Sequence, residues 1–271
     1  MSSMDCSNIT KETIKRMFAE GKRFDSRGLF DFRPIEVSFN VSNKAEGSAR
    51  VKIGKTEVVA GVKMEIGEPY PDSLDKGNLT VSGDLLPLAS PRFEAGPPKF
   101  NAVELLRLVD RVIRHSGILD FKKLVITPGE KVWTVIIDIY PINDDGNIID
   151  AASIAAVAAL KKTMVPALDE NGRIDYHKES KTPLQIEKDI LPVTLTFFKL
   201  GDSLALDLAR EEEEACDARV VFGISKLGDE YFINSCQKGE EVPLTKKEID
   251  QIMGIISEKF EKLNEKLKKF F

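Results

Sequence analysis

The chain has few of the residues that build covalent or metal-held frameworks. Its 271 residues include 3 Cys, 2 His and 1 Trp. Cys6, Cys216 and Cys236 are odd in number and far apart, and no CxxC pair occurs, so neither a disulfide framework nor a zinc site is indicated. Free thiols of this kind favour a reducing, cytoplasmic setting. His115 and His177 are also widely separated, so we expect ordinary structural roles for them, no metal site and no cofactor.

Long apolar segments and an excess of positive charge are also missing. No run approaches the ~18 apolar residues of a membrane-spanning helix, and the N-terminal MSSMDCSNITKETIKRMF lacks the apolar core of a signal peptide. A net charge of −5 argues against a protein that binds nucleic acid over its whole surface. We therefore expect a globular protein without a membrane partner, in which any RNA contact comes from a local basic patch.

The order of predicted elements indicates an α+β protein made of two similar halves. Each half runs strands first and a helix last, which suggests a structural duplication. We assign an N-terminal helix and loop to residues 1–28, the first half to 29–166, a polar connecting loop to 167–190 and the second half to 191–271. The second half ends in a long helix, for which Thr245 and Glu248 form a capping box.

An amphipathic helix is predicted from Asn101 to Ser116, with Asn101 as its N-cap and Glu104 at the capping-box position. At about 100° per residue, one broad face of this helix is apolar. The apolar positions are Leu105, Leu108, Val109, Val112 and Ile113. The opposite face carries Glu104, Arg107, Arg111 and Arg114.

Two interpretations of these arginines are open. They could form a solvated face with ion pairs such as Glu104–Arg107 and Asp110–Arg114. They could instead form a stripe that holds RNA phosphates through charge-assisted, bidentate hydrogen bonds.

The segment IDIYPINDDGNIIDAASIAAVAAL has the layout of an anion site without its chemistry. A buried strand leads into the turn Asp144-Asp145-Gly146-Asn147 and then into an Ala-rich helix, so that backbone N–H groups and a helix N-terminus could face a phosphate. The junction that follows carries Ile148, Ile149 and Asp150, none of which donates a hydrogen bond to an anion. We expect Asp150 to be the N-cap and its carboxylate to take the N–H groups that a phosphate would need. Asn147, Ile148, Ile149 and Asp150 thus form a degenerate phosphate site.

Other charged segments have ordinary explanations beside functional ones. The run Glu211–Glu214 could bind a metal, but a solvated loop is the simpler interpretation. Asp145 could act as a general acid, although an Asp beside Gly in a turn more often bonds its own backbone. Gly54-Lys55-Thr56 resembles the end of a P-loop, but a strand follows it and we predict a hairpin turn. The arginines of the early loop could line an RNA path or pair with a partner, and both interpretations remain open. They are Arg23, Arg27 and Arg33.

Several segments together resemble the RNase PH superfamily. They include KRFDSRGLFDFRPIEV, AEGSARVKIGKTEVVAGVK, VIIDIYPINDDGNIIDAASIAAVAAL and LTKKEIDQIMGIISEKFEKL, and they follow one another through nearly the whole chain. The resemblance implies the RNase PH fold, in which each half has a mixed sheet packed by helices. PLASPRFEAGPPKFNAVEL and INDDGNIIDA are most similar to the non-catalytic RNase PH-like subunit of the archaeal exosome ring.

The resemblance carries expectations about chemistry. Active members degrade RNA from its 3′ end with phosphate as the attacking group, and they carry Gly-Thr-Arg-Thr or a Gly-Ser-Arg variant where this chain has Asn147 to Asp150. Ile149 therefore replaces the phosphate-holding Arg, and no catalytic residue is assigned. Of the two acidic residues in active members, Asp217 matches the second, and the first falls within Glu211–Glu214.

The resemblance also implies partners. A catalytic RNase PH-like subunit would form a heterodimer with this chain, three heterodimers would close a hexameric ring around RNA, and RNA-binding cap subunits would join it. In the non-catalytic subunit the matching helix lends arginines to RNA at the neighbouring active site, which implicates Arg107 and Arg111, with Arg114 on the same face. The alternatives are a phosphorolytic 3′–5′ exoribonuclease active on its own and a generic RNA-binding scaffold, which the lack of aromatic stacking motifs disfavours.

Overall fold

The structure is a computed structural model that describes residues 7–170, 172–175, 178 and 182–271. Cys6 and His177 lie outside the described residues. The α-helices are α1 (Asn8–Ala19), α2 (Phe100–His115), α3 (Ile148–Lys161), α4 (Arg210–Glu214) and α5 (Lys246–Lys268). The strands of the first half are β1 (Ile35–Phe39), β2 (Gly47–Ile53), β3 (Thr56–Gly67), β4 (Asn78–Gly83), β5 (Val125–Thr127) and β6 (Lys131–Asn143). The later strands are β7 (Met164–Val165), β8 (Thr182–Pro183), β9 (Val193–Leu200), β10 (Ser203–Leu206), β11 (Ala218–Leu227) and β12 (Glu230–Gly239).

The first half forms a mixed sheet in the order β1-β2-β3-β6-β4, with β5 paired to β6. Strand β4 runs parallel to β6, and the other pairings are antiparallel. Alternation of buried and half-buried residues along β3 and β6 reflects the two faces of a pleated sheet, of which one is covered by helices. The sequence Gly54-Lys55-Thr56 was predicted to be a hairpin turn and not a P-loop. This prediction is confirmed, because Ile53 of β2 pairs with Thr56 of β3.

The second half forms a sheet in the order β10-β9-β11-β12. The α+β class and the two-sheet plan are confirmed, but the expectation of a mixed sheet in this half is wrong, because all its pairings are antiparallel. Helix α5 closes the half, and its capping box is confirmed: the Thr245 N–H donates to Glu248 Oε2 at 2.6 Å, and the Glu248 N–H donates to Thr245 Oγ1 at 3.3 Å. The domain boundaries proposed at 28, 166 and 190 stay predictions.

Helix α3 lies between the two sheets and positions the site. It contacts β2 and β3 of the first sheet and β9 of the second. Its Ala-rich sequence suits this place, because small side chains let two sheets approach one helix. Gly47 shows how tight the fit is: a Cβ there would lie 2.5 Å from the Ala159 carbonyl oxygen. One apolar core therefore extends through both halves, and α1 packs Ile14 and Phe18 against Phe198 and Leu200 in a second, smaller cluster.

Among the helices that the structure describes, none is long and apolar enough to cross a membrane.

Candidate anion site and arginine face

The α3 turn, residues 144–147, is a rigid structure. Asp144 Oδ1 accepts the Gly146 N–H at 3.2 Å, so Asp144, and not Asp145, makes the local backbone bond of this turn. Gly146 has φ +83°, and a Cβ there would lie 2.5 Å from the Leu208 carbonyl oxygen, so both its conformation and its surroundings require glycine. Asn147 follows in the left-handed conformation, with φ 56° and ψ 40°, and starts α3.

Residues from distant segments hold this turn. Arg33 Nη1 donates to the Asp145 carbonyl oxygen at 2.6 Å, and Arg33 Nη2 donates to the Gly146 carbonyl oxygen at 3.1 Å. The same guanidinium binds Asp207 twice, from Nη2 to Oδ1 at 2.8 Å and from Nε to Oδ2 at 3.0 Å. Burial opposes a charge on Asp207, but the hydrogen bonds from Arg33 outweigh it and hold the pKa of this carboxyl below its ordinary value. The turn is thereby tied to the second half.

The early-loop arginines all bind within the chain, so both open interpretations of them, an RNA path and pairing with a partner, are wrong. Arg23 is buried and forms an ion pair with the buried Glu212. Arg27 Nη1 donates to Asp207 Oδ2 at 2.9 Å, and Arg33 is 7% exposed in its side chain. Their donors are taken up by Asp207 after β10, by Glu212 of α4 and by backbone carbonyl oxygens, because buried guanidinium groups require paired anions.

The expectation for Asp150 is also wrong. Asn147 caps α3, and Asp150 lies within the first turn of the helix with no solvent exposure. Its Oδ1 accepts the Thr196 hydroxyl at 2.7 Å and its Oδ2 accepts the Thr196 N–H at 3.3 Å, so the carboxylate faces β9 rather than the N–H groups of α3. Burial raises the pKa of Asp150 to about 6.

Glu213 takes the place that Asp150 was expected to fill. Its Oε1 accepts the Asn147 N–H at 2.6 Å, where the partial positive charge of a helix N-terminus favours an anion. Arg92 approaches the other oxygen: its Nη2 lies 3.9 Å from Glu213 Oε2 and 2.6 Å from Asp144 Oδ2. Burial, assisted by the charge of Asp144, raises the pKa of Glu213 to about 7.

Glu213 lies in the wall of a cavity of about 470 Å³, the Glu213 cavity. Ile148 and Ile149 of the degenerate phosphate site line it, together with charged residues from several elements of the chain. These charged residues are Lys11, Arg92, Glu104, Glu213, Glu214, Arg219 and Glu240. The aliphatic side chains offer an anion no donor at this position.

The solvated-loop interpretation of Glu211–Glu214 fails for most of the run, which forms helix α4. Glu212 is buried with Arg23, Glu213 accepts the Asn147 N–H, and Glu214 Oε1 accepts from Arg210 at 3.1 Å. Only Glu211 is exposed. Within the part of the chain that the structure describes, no group of three or more His, Cys, Asp or Glu residues could hold a metal ion.

Asp217, matched to the second acidic residue of active members, is held at the edge of the second half. Its Oδ1 accepts from Lys15 Nζ at 2.6 Å, and its Oδ2 accepts the Gly201 N–H at 2.7 Å. The lining of the Glu213 cavity does not include it.

Helix α2 begins at Phe100 with Lys99 as its N-cap, so the predicted cap at Asn101 and capping box at Glu104 are wrong. Glu104 is buried instead of lying on the polar face. Its carboxylate pairs with Arg219 of β11 and accepts from Gln237 Nε2 of β12 at 2.9 Å. The predicted Glu104–Arg107 ion pair does not form, because the second sheet has taken the carboxylate.

The arginine face is defined by Arg107, Arg111 and Arg114 of α2, and the three side chains are held to different degrees. Arg107 is exposed. Arg111 is half-buried and its Nη1 donates to Gln237 Oε1 at 2.6 Å. Arg114 binds Asp110 from Nη2 at 2.6 Å, as one interpretation predicted, and it also donates to the Leu79 carbonyl oxygen at 3.0 Å. A groove against β4 runs beside Arg107 and Arg111.

The structure brings the degenerate phosphate site together with the acidic run and leaves the arginine face separate on α2. Sequence reasoning missed Arg92 and Arg219, and it missed that Glu213 accepts the Asn147 N–H. No local signal indicates that contact, since Asn147 and Glu213 are 66 residues apart. Charge alone marked the acidic run, and charge does not tell which of its four carboxylates points inward.

Comparison with known proteins identifies the family. The 3′ exoribonuclease family, domain 1 (RNase PH), matches residues 31–166. The exosome complex component Rrp42 of Methanothermobacter thermautotrophicus is 42% identical over 262 residues, 96% of this chain and 95% of that protein. Rrp42 of Archaeoglobus fulgidus is 42% identical over 261 residues, 96% of each chain.

Solved structures agree with the sequence relatives. A chain of the Archaeoglobus fulgidus exosome with RNA bound to the active site superposes with a TM-score of 0.86 at 41% identity, covering 96% of this chain and 98% of that one. A chain of an archaeal exosome core has a TM-score of 0.83 at 38% identity, covering 96% and 97%. This chain therefore belongs to the RNase PH family of 3′ exoribonucleases.

Proposed function

We propose that the chain is a non-catalytic component of an exosome, a cytoplasmic complex that degrades RNA from the 3′ end. It pairs with a catalytic RNase PH-like subunit, three such heterodimers form a hexameric ring, and RNA-binding cap subunits complete the assembly. Its likeness to exosome Rrp42 proteins extends over nearly their full length, which supports this assignment.

The observation that carries the proposal is the state of the α3 N-terminus. A phosphorolytic site needs cationic or hydroxyl donors there to hold phosphate. This chain has Ile148 and Ile149 at the junction and a carboxylate, Glu213, on the Asn147 N–H. An enzyme active on its own is disfavoured for this reason, and also because Asp217 is occupied by Lys15.

Arg107 and Arg111 are the residues that we propose to grip RNA. They lie one helical turn apart on α2, and Arg107 is exposed without an ion pair to Glu104, whose carboxylate binds Arg219. Arg111 donates to the neutral amide of Gln237. An RNA phosphate can displace this neutral partner more easily than it could displace a carboxylate partner. Arg114 contributes less, because Asp110 already binds two of its donors.

The second sheet offers a surface for a partner subunit. In the described chain β12 pairs only with β11, so its outer edge is free. Tyr231, Phe232 and Ile233 of this strand are each more than two-fifths exposed. A free edge with exposed apolar side chains is typical of a protein that continues its sheet or core into another chain.

The test is phosphate-dependent decay of a 3′-labelled RNA by this chain alone, by its catalytic partner alone and by the mixture at verified stoichiometry. We expect no decay by this chain alone and faster decay by the mixture than by the partner alone. Phosphorolysis by the chain alone, retained through purification steps that remove contaminating nucleases, would contradict the proposal.

A further inference from the structure

The geometry points to Glu213 as a built-in anion: its carboxylate occupies the N-terminus of α3 and excludes free inorganic oxyanions, so that removing its charge opens a site for sulfate or phosphate. The inference rests on the part of the proposed function that denies this chain a phosphate site. It adds a second reason why phosphate does not bind. Missing side-chain donors alone would leave the α3 N-terminus vacant, whereas here the Glu213 carboxylate occupies it.

The contacts of Glu213 are those of a bound oxyanion. One oxygen accepts the Asn147 N–H at 2.6 Å. The other lies 3.9 Å from the Arg92 guanidinium, which is anchored by Asp144. The backbone N–H at the α3 N-terminus and a guanidinium converge on one carboxylate, and the same two groups would suit a tetrahedral oxyanion.

The placement of these groups does not depend on Glu213. Asn147 is held by its side chain, whose Nδ2 donates to the buried Asp207 at 2.9 Å, and the preceding turn is held by Arg33 and Thr56. Loss of the Glu213 charge should therefore leave the donors in position instead of collapsing the turn.

The charge balance of the Glu213 cavity supports exclusion. Three cationic and four anionic residues line it, and Glu213 is the anion at the α3 N-terminus. Glu104 is already paired with Arg219, and Asp144 behind the wall is paired with Arg92. With Glu213 charged, an entering dianion meets a second carboxylate beside Asp144; with Glu213 neutral it meets the Asn147 N–H and the Arg92 guanidinium, which keeps Asp144 as its partner.

The titration of Glu213 provides a second way to change its charge. Because burial raises its pKa to about 7, the carboxylate is mostly charged at pH 8 and mostly protonated at pH 6. Sulfate stays a dianion across this range, whereas phosphate does not, so sulfate is the better probe. Asp144 lies behind the cavity wall, bound to Arg92. The other charged and titratable groups that line the cavity are Lys11, Arg92, Glu104, Glu214, Cys216, Arg219 and Glu240.

The experiment measures sulfate affinity of the full chain by calorimetry and by the shift of Tm with sulfate at constant ionic strength. The variants are Glu213→Gln, Glu213→Ala and the matched control Glu211→Gln, which removes the same charge from the exposed residue of the same run. At pH 8 we expect both Glu213 variants to bind sulfate at least about tenfold more tightly than the wild type, because a unit charge about 4 Å away acts more strongly in protein than in water. The control should match the wild type.

The pH series uses the unmodified chain and guards against a variant that fails to fold. Wild-type sulfate affinity should rise as the pH falls from 8 to 6, and Glu213→Gln should lose this dependence. Folded Glu213 variants with wild-type affinity, or a pH dependence that persists in Glu213→Gln, would overturn the inference, as would equal affinity of the wild type at both pH values. None of these outcomes bears on RNA capture by the arginine face, so the two proposals fail separately.

Discussion

The α3 turn is held by Arg33 of the early loop, whereas the arginine face carries three arginines of its own, and the structure uses these arginines in opposite ways. Arg33 is buried and has its donors on Asp207 and on two carbonyl oxygens of the turn. Arg107 is exposed, and the two acidic residues of its helix are bound elsewhere, Glu104 to Arg219 and Asp110 to Arg114. An arginine is available to a ligand when the fold leaves its donors free, and this depends on partners far away in sequence.

The buried side of this comparison can be broken at Asp207. Asp207→Asn should destabilise the chain by about 3–5 kcal/mol, because it removes the buried counter-charge of Arg33 and leaves only the partly exposed Asp145 carboxylate, 3.3 Å from Nη1. Asp202→Asn, an exposed residue of the β9–β10 turn, is the control and should cost little. Urea unfolding followed by circular dichroism measures both. Equal stabilities of the two variants would show that the pair does not hold the turn.

Asp150 tests the same region by its pH dependence. Its pKa of about 6 exceeds the ~3.9 of an unfolded Asp, so the folded chain binds more protons between these values and loses stability as the pH rises through this window. The loss contributed by Asp150 is up to about 3 kcal/mol at neutral pH. Asp150→Asn should remove this share and make the stability profile less steep between pH 4 and 6, while the share of Glu213 remains. The measurement is unfolding free energy against pH for variant and wild type, and parallel profiles would contradict the expectation.

The open side of the comparison is tested with RNA. Arg107→Ala with Arg111→Ala should weaken RNA capture by the assembled complex, and the salt dependence of binding should decrease by a slope of roughly 0.7 for each lost phosphate contact. Lys122→Ala with Lys123→Ala removes the same charge from an exposed segment outside α2 and is the matched control. Binding isotherms across a salt series, with the stoichiometry of each complex verified, measure both effects. Unchanged RNA affinity and an unchanged salt slope in the arginine variant would mean that Arg107 and Arg111 do not contact RNA.

The smallest expected effect is a difference in stability between single variants of the arginine face. Arg114→Ala should lower the stability of the chain by about 0.5–1 kcal/mol, because it loses an i,i+4 ion pair with Asp110 and a hydrogen bond to the Leu79 carbonyl oxygen. Arg107→Ala should not lower it measurably. Thermal unfolding of the two single variants provides the comparison, and an equal loss in both would mean that Arg107 has a structural partner as well.

Local sequence rules succeeded where both partners of an interaction lie in one turn. The Thr245–Glu248 capping box and the hairpin at Gly54 need only neighbours in the chain, and both are confirmed. Resemblance to known sequences identified the fold and family, although it did not distinguish the antiparallel second sheet from a mixed one.

The errors share one cause. Glu104 and Asp150 were expected to cap their own helices, and each binds instead to the second sheet, at Arg219 and Thr196, 115 and 46 residues away. A helical wheel assigns faces relative to one another but does not say which neighbours the fold will bring. The replacement of phosphate donors at Ile149 could be seen from the sequence, whereas the arrival of Glu213 at the same place required the structure.

The position of α3 between two sheets has a consequence for synthesis on the ribosome. The helix is complete at residue 161, but β9, which covers its other side, begins only at residue 193. Until that strand leaves the exit tunnel, the side of α3 that β9 will cover, where Asp150 later binds Thr196, stays open to solvent. The first half is therefore expected to need a chaperone, or rapid elongation through residues 167–200, before it reaches its final packing.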